Sequence, residues 1–530
     1  MNWKTLKEAR RKLAAEQGTI FKDWGGRVHI ALIYPNSYSL GMSNLGFQAI
    51  YGLFNQYDRV VCERVFNEGH EPISLESQRP LGDFDILAFS FSYEPDYFSV
   101  ACLLKSSGIP AFASDRGEQH PLVIAGGAAV TANPEPLASL IDCFAIGEGE
   151  AILPQMNQVL LAGIEFPRHE LLRELAKVPG VYVPSFCDGL VDRQWAKDLG
   201  DFATGSVVLT PNAELGDLYL MEIARGCSWG CRFCLAGFHF RPMRYCPVEK
   251  LLEQARQGLR YRKRLGLVSA AISDHPQIDE LVTGLRRMGA DFSVSSLRIK
   301  PLSDVVLRGL AESGTRTVSL APEAGSQRLR QVVKKGISED DILSAVDKVA
   351  KHGLKQIKLY FMIGLPTETD EDIVGIVKLV LTAKGILDKH RTGTQLTLNI
   401  TPFVPKAGTP FQWLPMATAD VLNRRLSLLK KGLSHKGIEV KADSIDWSLV
   451  QGMLSRGDSR LGQVIASMPR VSLSAWRKAL EGAGLDPELI HREIPADEQL
   501  PWSIINSGTK PEHLRAELER AYREVSKLED

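Results

Sequence analysis

The stretch LYLMEIARGCSWGCRFCLAG, residues 218–237, runs from a continuous apolar segment into Cys227, Cys231 and Cys234, spaced C-x3-C-x2-C. Three thiolates within eight residues can face one metal centre together, and soft sulfur donors suit iron–sulfur clusters or zinc. A tetrahedral zinc site needs a fourth Cys or His, for which His239 and Cys246, the latter twelve residues past Cys234, are the candidates. A cubane held by only three cysteines instead leaves one iron open to a small molecule. The apolar run reads as a buried strand and Gly226 as the start of a loop, which is where a site at the carboxyl-end mouth of a βα barrel belongs.

This motif and its setting resemble the radical S-adenosylmethionine superfamily. The resemblance implies a 4Fe–4S cluster whose open iron is chelated by the amino and carboxylate groups of S-adenosylmethionine. One electron, from a donor such as flavodoxin or ferredoxin, then cleaves the sulfonium to a 5′-deoxyadenosyl radical. Phe233, just before the last cysteine, matches the aromatic position the family uses near the adenine. The competing reading is a set of buried, inert thiols, since short motifs carry false positives.

Outward from the motif, composition is that of an ordinary globular protein of several domains. The 530 residues carry 63 basic and 63 acidic side chains, so no strongly basic nucleic-acid binder is signalled. The charged segment MNWKTLKEARRKLAAEQG reads as neither a signal peptide nor a membrane span, and no apolar run is long enough to cross a bilayer. Eight cysteines, three of them clustered, suit a metal site in a reducing compartment, so a cytoplasmic location is expected.

Towards the N-terminus, a helix is expected over residues 1–24 and an α/β domain over 25–160. The runs RVHIALIYPNSY, DILAFSFSY, PLVIAGGAAV and CFAIGEGEA are apolar on both faces, which predicts a doubly wound, Rossmann-like parallel sheet with its ligand site at the carboxyl ends of the strands. Gly126 and Gly127 end one such strand and permit close approach of a ligand or a helix, or simply a tight turn. VIAGGAAVTANPEPLASLIDCFAIGEGE is similar to the cobalamin-binding-type domain that precedes many radical S-adenosylmethionine cores. That resemblance implies cobalamin near Gly126 and Gly127. The family's Asp-x-His-x-x-Gly loop is missing, and His29, His70 and His120 lack its spacing. Either cobalamin binds with no protein imidazole on cobalt, or the fold persists without the cofactor.

Residues 161–217 read as a linker or adaptor, and 218–420 as a partial (βα)6 barrel of TIM type with chemistry at the carboxyl ends of its strands. The candidate cofactor-binding residues lie at those ends. Ser273 and Asp274 follow the second strand, where relatives carry a Gly-Gly-Glu loop; a helix cap is the structural alternative. Arg298 follows the third strand and suits a carboxylate, of S-adenosylmethionine or of substrate. The resemblance implies that Glu323 contacts the ribose or the methionyl amine. It also implies that Met362, Ile363 and Gly364 border the adenine, ahead of the turn formed with Pro366, Glu368 and Thr369.

The loop TPFVPKAGTPFQW resembles one in methylthiotransferase-type radical enzymes, and residues 421–530 read as mostly helical. No catalytic residue is singled out. Three functions stay open: a cobalamin-associated methyltransferase or related carbon-centred modification, an RNA or protein methylthiotransferase-like enzyme, and a non-catalytic iron–sulfur protein. The lack of a basic tail and of a second cysteine cluster weighs against the second.

Overall fold

The fold is taken from a computed structural model, which describes residues 3–69, 71–186 and 189–526; His70 and Cys187 lie outside the described residues. The N-terminal sheet has six strands: β1 (Val28–Tyr34), β2 (Val60–Phe66), β3 (Ile86–Ser90), β4 (Leu122–Gly126), β5 (Cys143–Ala145) and β6 (Val181–Tyr182). Their order is β2-β1-β3-β4-β5-β6, parallel except for the antiparallel β6. This is the expected doubly wound sheet, with its reversal of strand order between β1 and β3.

One face packs under helices Leu45–Asn55 and Gly149–Gly163, through Phe47, Tyr51, Met156 and Leu160. The other face is shared between helix Phe98–Ser106 and distant helices Ile445–Arg456, Arg460–Ser467 and Leu473–Gly482, through Leu454, Val464 and Trp476. The C-terminal helices thus supply cover that a doubly wound sheet needs on both faces.

Strand β2 was not expected from the sequence, because Glu63 and Arg64 interrupt VVCERVF. Both are buried, and Arg64 is neutralised by Glu16 at 2.7 Å and Glu76 at 2.7 Å. Within the region read as a linker, Arg168–Leu175 is helical and β6 joins the sheet, while the short β7 (Val191–Asp192) pairs with Ile505–Asn506 near the other end of the chain.

The barrel begins at β8 (Leu218–Glu222). The antiparallel pair β9 (Ala224–Arg225) and β10 (Arg244–Tyr245) brackets the cysteine loop. It continues through β11 (Arg264–Val268), β12 (Asp291–Val294), β13 (Thr317–Glu323), β14 (Gln356–Ile363), β15 (Gln395–Pro402) and β16 (Glu439–Ala442). Two parallel sheets, β12-β11-β8 and β13-β14-β15-β16, meet at a parallel bridge between Leu297 and Leu320. All six strands read from the sequence have a counterpart, although the second, expected to run on to Ser273, ends at Val268 and gives way to the 3-10 turn Ile272–Asp274. The seventh, β16, lies in the region read as helical and lengthens the barrel by one strand, its EVKA too short and too exposed to show an apolar pattern.

Burial alternates strictly along β13 and β14. Val318, Leu320, Ile357, Leu359, Phe361 and Ile363 pack against helices, and the residues between them face the interior. Among the described residues no helix is long and apolar enough to cross a membrane.

Candidate functional site

The cysteine loop leaves β9 at Gly226, where φ is +88° and an added Cβ would lie 2.1 Å from the Phe240 carbonyl oxygen, so only glycine fits. Cys227 and Cys231 are buried and Cys234 is half-buried. Arg232, between the last two, anchors the loop: its backbone N–H donates to Val333 O at 3.1 Å, and its buried guanidinium donates to Val332 O at 2.8 Å and pairs with Glu517 at 3.2 Å.

Burial pushes the Cys231 thiol up to about 12, opposed mainly by the Lys335 ammonium, and burial also raises Cys234 against N–H donors from Ala236 and Gly237. Such thiols ionise only against a strong local cation, as cluster iron provides. Among the described residues no three His, Cys, Asp or Glu side chains form a group that could hold a single metal ion. A cubane differs in taking each cysteine on a separate iron, so its donors need not converge on one point.

The zinc alternative loses its fourth ligand. His239 is buried, hydrogen-bonded through Nε2 to Ala407 O at 2.9 Å, and pushed down to about 4 by burial. Cys246 is packed in the barrel core behind β10.

Three other elements converge on the loop. Trp229 donates its Nε1–H to Asp274 Oδ2 at 2.7 Å, and the Arg298 guanidinium lies 3.9 Å from the centre of the Trp229 ring and 3.4 Å from Asp274 Oδ1. Ser273 Oγ accepts the Arg298 backbone N–H at 3.1 Å. Ser273 and Asp274 therefore act on Arg298 and Trp229 rather than capping a helix. Glu323 ends β13 after a bulge, at φ +70°, and its carboxylate pairs with Lys335 at 2.8 Å. Burial disfavours the Lys335 charge, but Glu323 and Cys231 outweigh it and raise its pKa.

Phe233 and Met362 pack in one apolar cluster with Phe403 and Leu365, so the structure brings these two expected residues together. Ile363 does not join them. Its side chain is on the helix-facing side of β14 and its carbonyl accepts the Phe403 N–H at 2.9 Å, a consequence of the two-residue period of a strand. Gly364, at φ +79°, donates its N–H to Glu368 at 2.6 Å, and Glu368 in turn pairs with Arg425 at 2.7 Å, so the turn is fixed from within.

A cavity of about 320 Å³ lies over the carboxyl ends of β3, β4 and β5 and reaches the barrel. Gly126 and Gly127 line it beside Ala88, Ala128 and Ala145, while Glu222, Arg225, Phe240 and Val268 line it from the barrel side. Gly127, at φ +110°, is required by the fold, since a Cβ there would be 2.3 Å from Phe91 O. Gly126 has room, with Ala145 Cβ nearest at 3.6 Å.

Arg225, not singled out by sequence reasoning although it adjoins the motif, collects Glu148 at 2.8 Å, Glu150 at 2.8 Å and Glu222 at 2.7 Å; Glu148 also pairs with Arg244 at 2.6 Å. Among the described residues no histidine lines the cavity. His29 is held by Asp85 and Trp24 O, and His120 accepts the Gly117 N–H. The small-residue floor suits a flat, largely apolar ring system with no imidazole beneath it. The proline-rich loop is occupied with packing: Lys406 pairs with buried Glu94 at 2.6 Å, and Phe411 N donates to Arg232 O at 3.3 Å.

Residues 46–184 match the family described as radical SAM proteins, N-terminal, and residues 221–380 match the radical SAM superfamily. The chain is 31% identical over 459 residues to the uncharacterized protein MJ0966 of Methanocaldococcus jannaschii, covering 85% of this chain and 94% of that protein. It is 24% identical over 324 residues to the uncharacterized methyltransferase PH0819 of Pyrococcus horikoshii, covering 56% of this chain and 66% of that one. In fold it is similar to the cobalamin-dependent S-adenosylmethionine radical enzyme OxsB with aqua-cobalamin bound, at a TM-score of 0.54 and 13% identity, over 94% of this chain and 81% of that chain.

Proposed function

Because the chain belongs to the radical SAM superfamily, we propose that Cys227, Cys231 and Cys234 hold its 4Fe–4S cluster and that the cavity beside Gly126 and Gly127 holds cobalamin for transfer of a methyl group or a related carbon-centred modification. The observation that carries the second part is the shared lining of that cavity. Small residues of β3, β4 and β5 form its floor, and Glu222, Arg225 and Val268 at the ends of β8, β9 and β11 bring it to the barrel mouth that carries the cysteine loop.

When bound, the cluster and S-adenosylmethionine supply a 5′-deoxyadenosyl radical. The chain's own residues orient and shield. Arg232 and Trp229 pin the loop, Glu323 and Lys335 offer opposite charges suited to a methionyl zwitterion, and Phe233 with Met362 gives an apolar surface for a base. An external electron donor of the flavodoxin or ferredoxin type and a cytoplasmic location belong to the same proposal, in keeping with cysteines that form no disulfide among the described residues.

The test is anaerobic purification followed by iron analysis and reduction in the presence of S-adenosylmethionine. Wild type should form 5′-deoxyadenosine, and Cys227→Ala, Cys231→Ala and Cys234→Ala should each lose the cluster, whereas Cys102→Ser, at an exposed position, should keep it. Equal iron in Cys231→Ala and wild type overturns the ligand assignment, and an intact cluster without 5′-deoxyadenosine favours a binding-only protein.

A further inference from the structure

TIM-type barrels ordinarily fill their interior with bulky aliphatic side chains. On β14 the interior positions are instead Gln356, Lys358, Tyr360 and Met362, all only half-buried, in alternation with the buried helix-facing residues. The lower end is closed by a polar ladder in which Thr317 Oγ1 donates to Gln356 Oε1 at 2.9 Å and Gln356 Nε2 donates to Thr397 Oγ1 at 3.1 Å. Lys358 stands one interior position above Gln356. No carboxylate among the described residues pairs with its ammonium: Glu323 is taken by Lys335, and Glu439 by Lys441 at 3.4 Å.

Next along the strand Tyr360 lies opposite Asn399 of β15. Asn399 Oδ1 is buried with no hydrogen-bond donor. A buried carbonyl oxygen left without a donor is costly, and a half-buried ammonium without an anion lacks its natural partner. Both deficits lie on the interior face of neighbouring strands, below the level of Met362 and Glu323.

We infer that the barrel interior is a substrate site for a small molecule carrying an anionic group, carboxylate or phosphate, that pairs with Lys358, and a neighbouring O–H or N–H that donates to Asn399 Oδ1. Resting on the proposed radical chemistry at the cysteine loop, this places the charged end of the substrate at the bottom of the barrel and its reacting carbon nearer the mouth. Lys358 and Asn399 act as positioning residues that fix which carbon is presented.

The test is calorimetric titration of the full-length, anaerobically purified protein with its cluster, using glycerate as the carboxylate probe, glycerol 3-phosphate as the phosphate probe and glycerol as the uncharged control. Saturable binding of at least one anion and none of glycerol is expected. Lys358→Gln should weaken that binding by about tenfold or more, Asn399→Leu should weaken it severalfold, and Lys351→Gln, on the exposed face of the outer helix Glu339–Lys351, should change nothing. Which anion binds identifies the charged group. Equal affinity in Lys358→Gln and wild type, or no saturable binding of either anion, overturns the inference. Iron content and 5′-deoxyadenosine formation, measured on the same samples, report separately on the radical reading.

Discussion

The indole of Trp229, inside the cysteine motif, donates to Asp274 at 2.7 Å, in the turn that follows β11. Burial raises the Asp274 pKa, while Arg298 and the Trp229 N–H oppose that rise, so the carboxylate is held by the two partners it orders. Replacing Asp274 by Ala strands a donor under a stacked guanidinium.

The expected outcome for Asp274→Ala is a loss of about 1 kcal/mol in denaturant unfolding, the net contribution of a part-buried hydrogen bond. Asp274→Asn, which keeps an acceptor, should lose less. A difference should also appear in tryptophan fluorescence, because the Trp229 ring loses its fixed orientation against Arg298. Unchanged unfolding and fluorescence in Asp274→Ala would show that the bond is not formed in solution.

His239 provides a pH signature. Its folded pKa, near 4, lies below the ordinary histidine value of about 6.5 because burial disfavours the imidazolium. A depressed folded pKa contributes stability that is complete above about pH 6.5 and is lost as pH falls towards 4. The full shift corresponds to roughly 3 kcal/mol as an upper figure. His239→Gln, whose amide can still donate to the Ala407 carbonyl, should flatten this part of the stability profile, as read by urea unfolding at several pH values. Parallel profiles for the two proteins would count against a buried neutral imidazole.

Arg225 joins the two halves of the molecule. Three carboxylates from the N-terminal domain and β8 share it, and among the described residues only Glu148 has a second guanidinium, that of Arg244. Removing one partner of a buried ionic group commonly costs about 3–5 kcal/mol, because the remaining charges stay desolvated. Arg225→Met should therefore lower stability by an amount of that order, while Arg225→Met combined with Glu150→Gln should recover part of it. Strict additivity in this double-mutant cycle would show that the two side chains are not coupled.

The barrel strands were legible because a two-residue period of burial writes itself into VSLAPE and QIKLYFMI, and the cysteine motif because its ligand chemistry is local. What escaped notice depended on partners far away in sequence. Glu63 and Arg64 look like breaks in an apolar run until Glu16 and Glu76 neutralise Arg64. β16 is exposed and becomes a strand only beside β15. The partners of Asp274 and Glu323, namely Trp229 and Lys335, come from loops whose approach no spacing encodes. Ile363 turns its side chain away from Met362 for a simpler reason, since neighbours along a strand face opposite ways.

Gly126 and Gly127 separate the needs of the fold from those of a ligand. Gly127 combines a left-handed backbone with a Phe91 oxygen 2.3 Å from any added Cβ, so Gly127→Ala should destabilise the N-terminal domain whatever it binds. At Gly126 the backbone is that of an ordinary strand end and the nearest atom to a Cβ is 3.6 Å away. Gly126→Val should therefore melt within about 1 kcal/mol of wild type while occupying the cavity floor. After reconstitution with hydroxocobalamin and removal of excess, wild type should retain the cofactor without nitrogen hyperfine splitting from a protein imidazole, since no histidine among the described residues lines the cavity. Gly126→Val should retain none. Equal retention in both would move the cofactor away from this cavity, and axial imidazole splitting in wild type would mean that a histidine from elsewhere in the chain reaches cobalt.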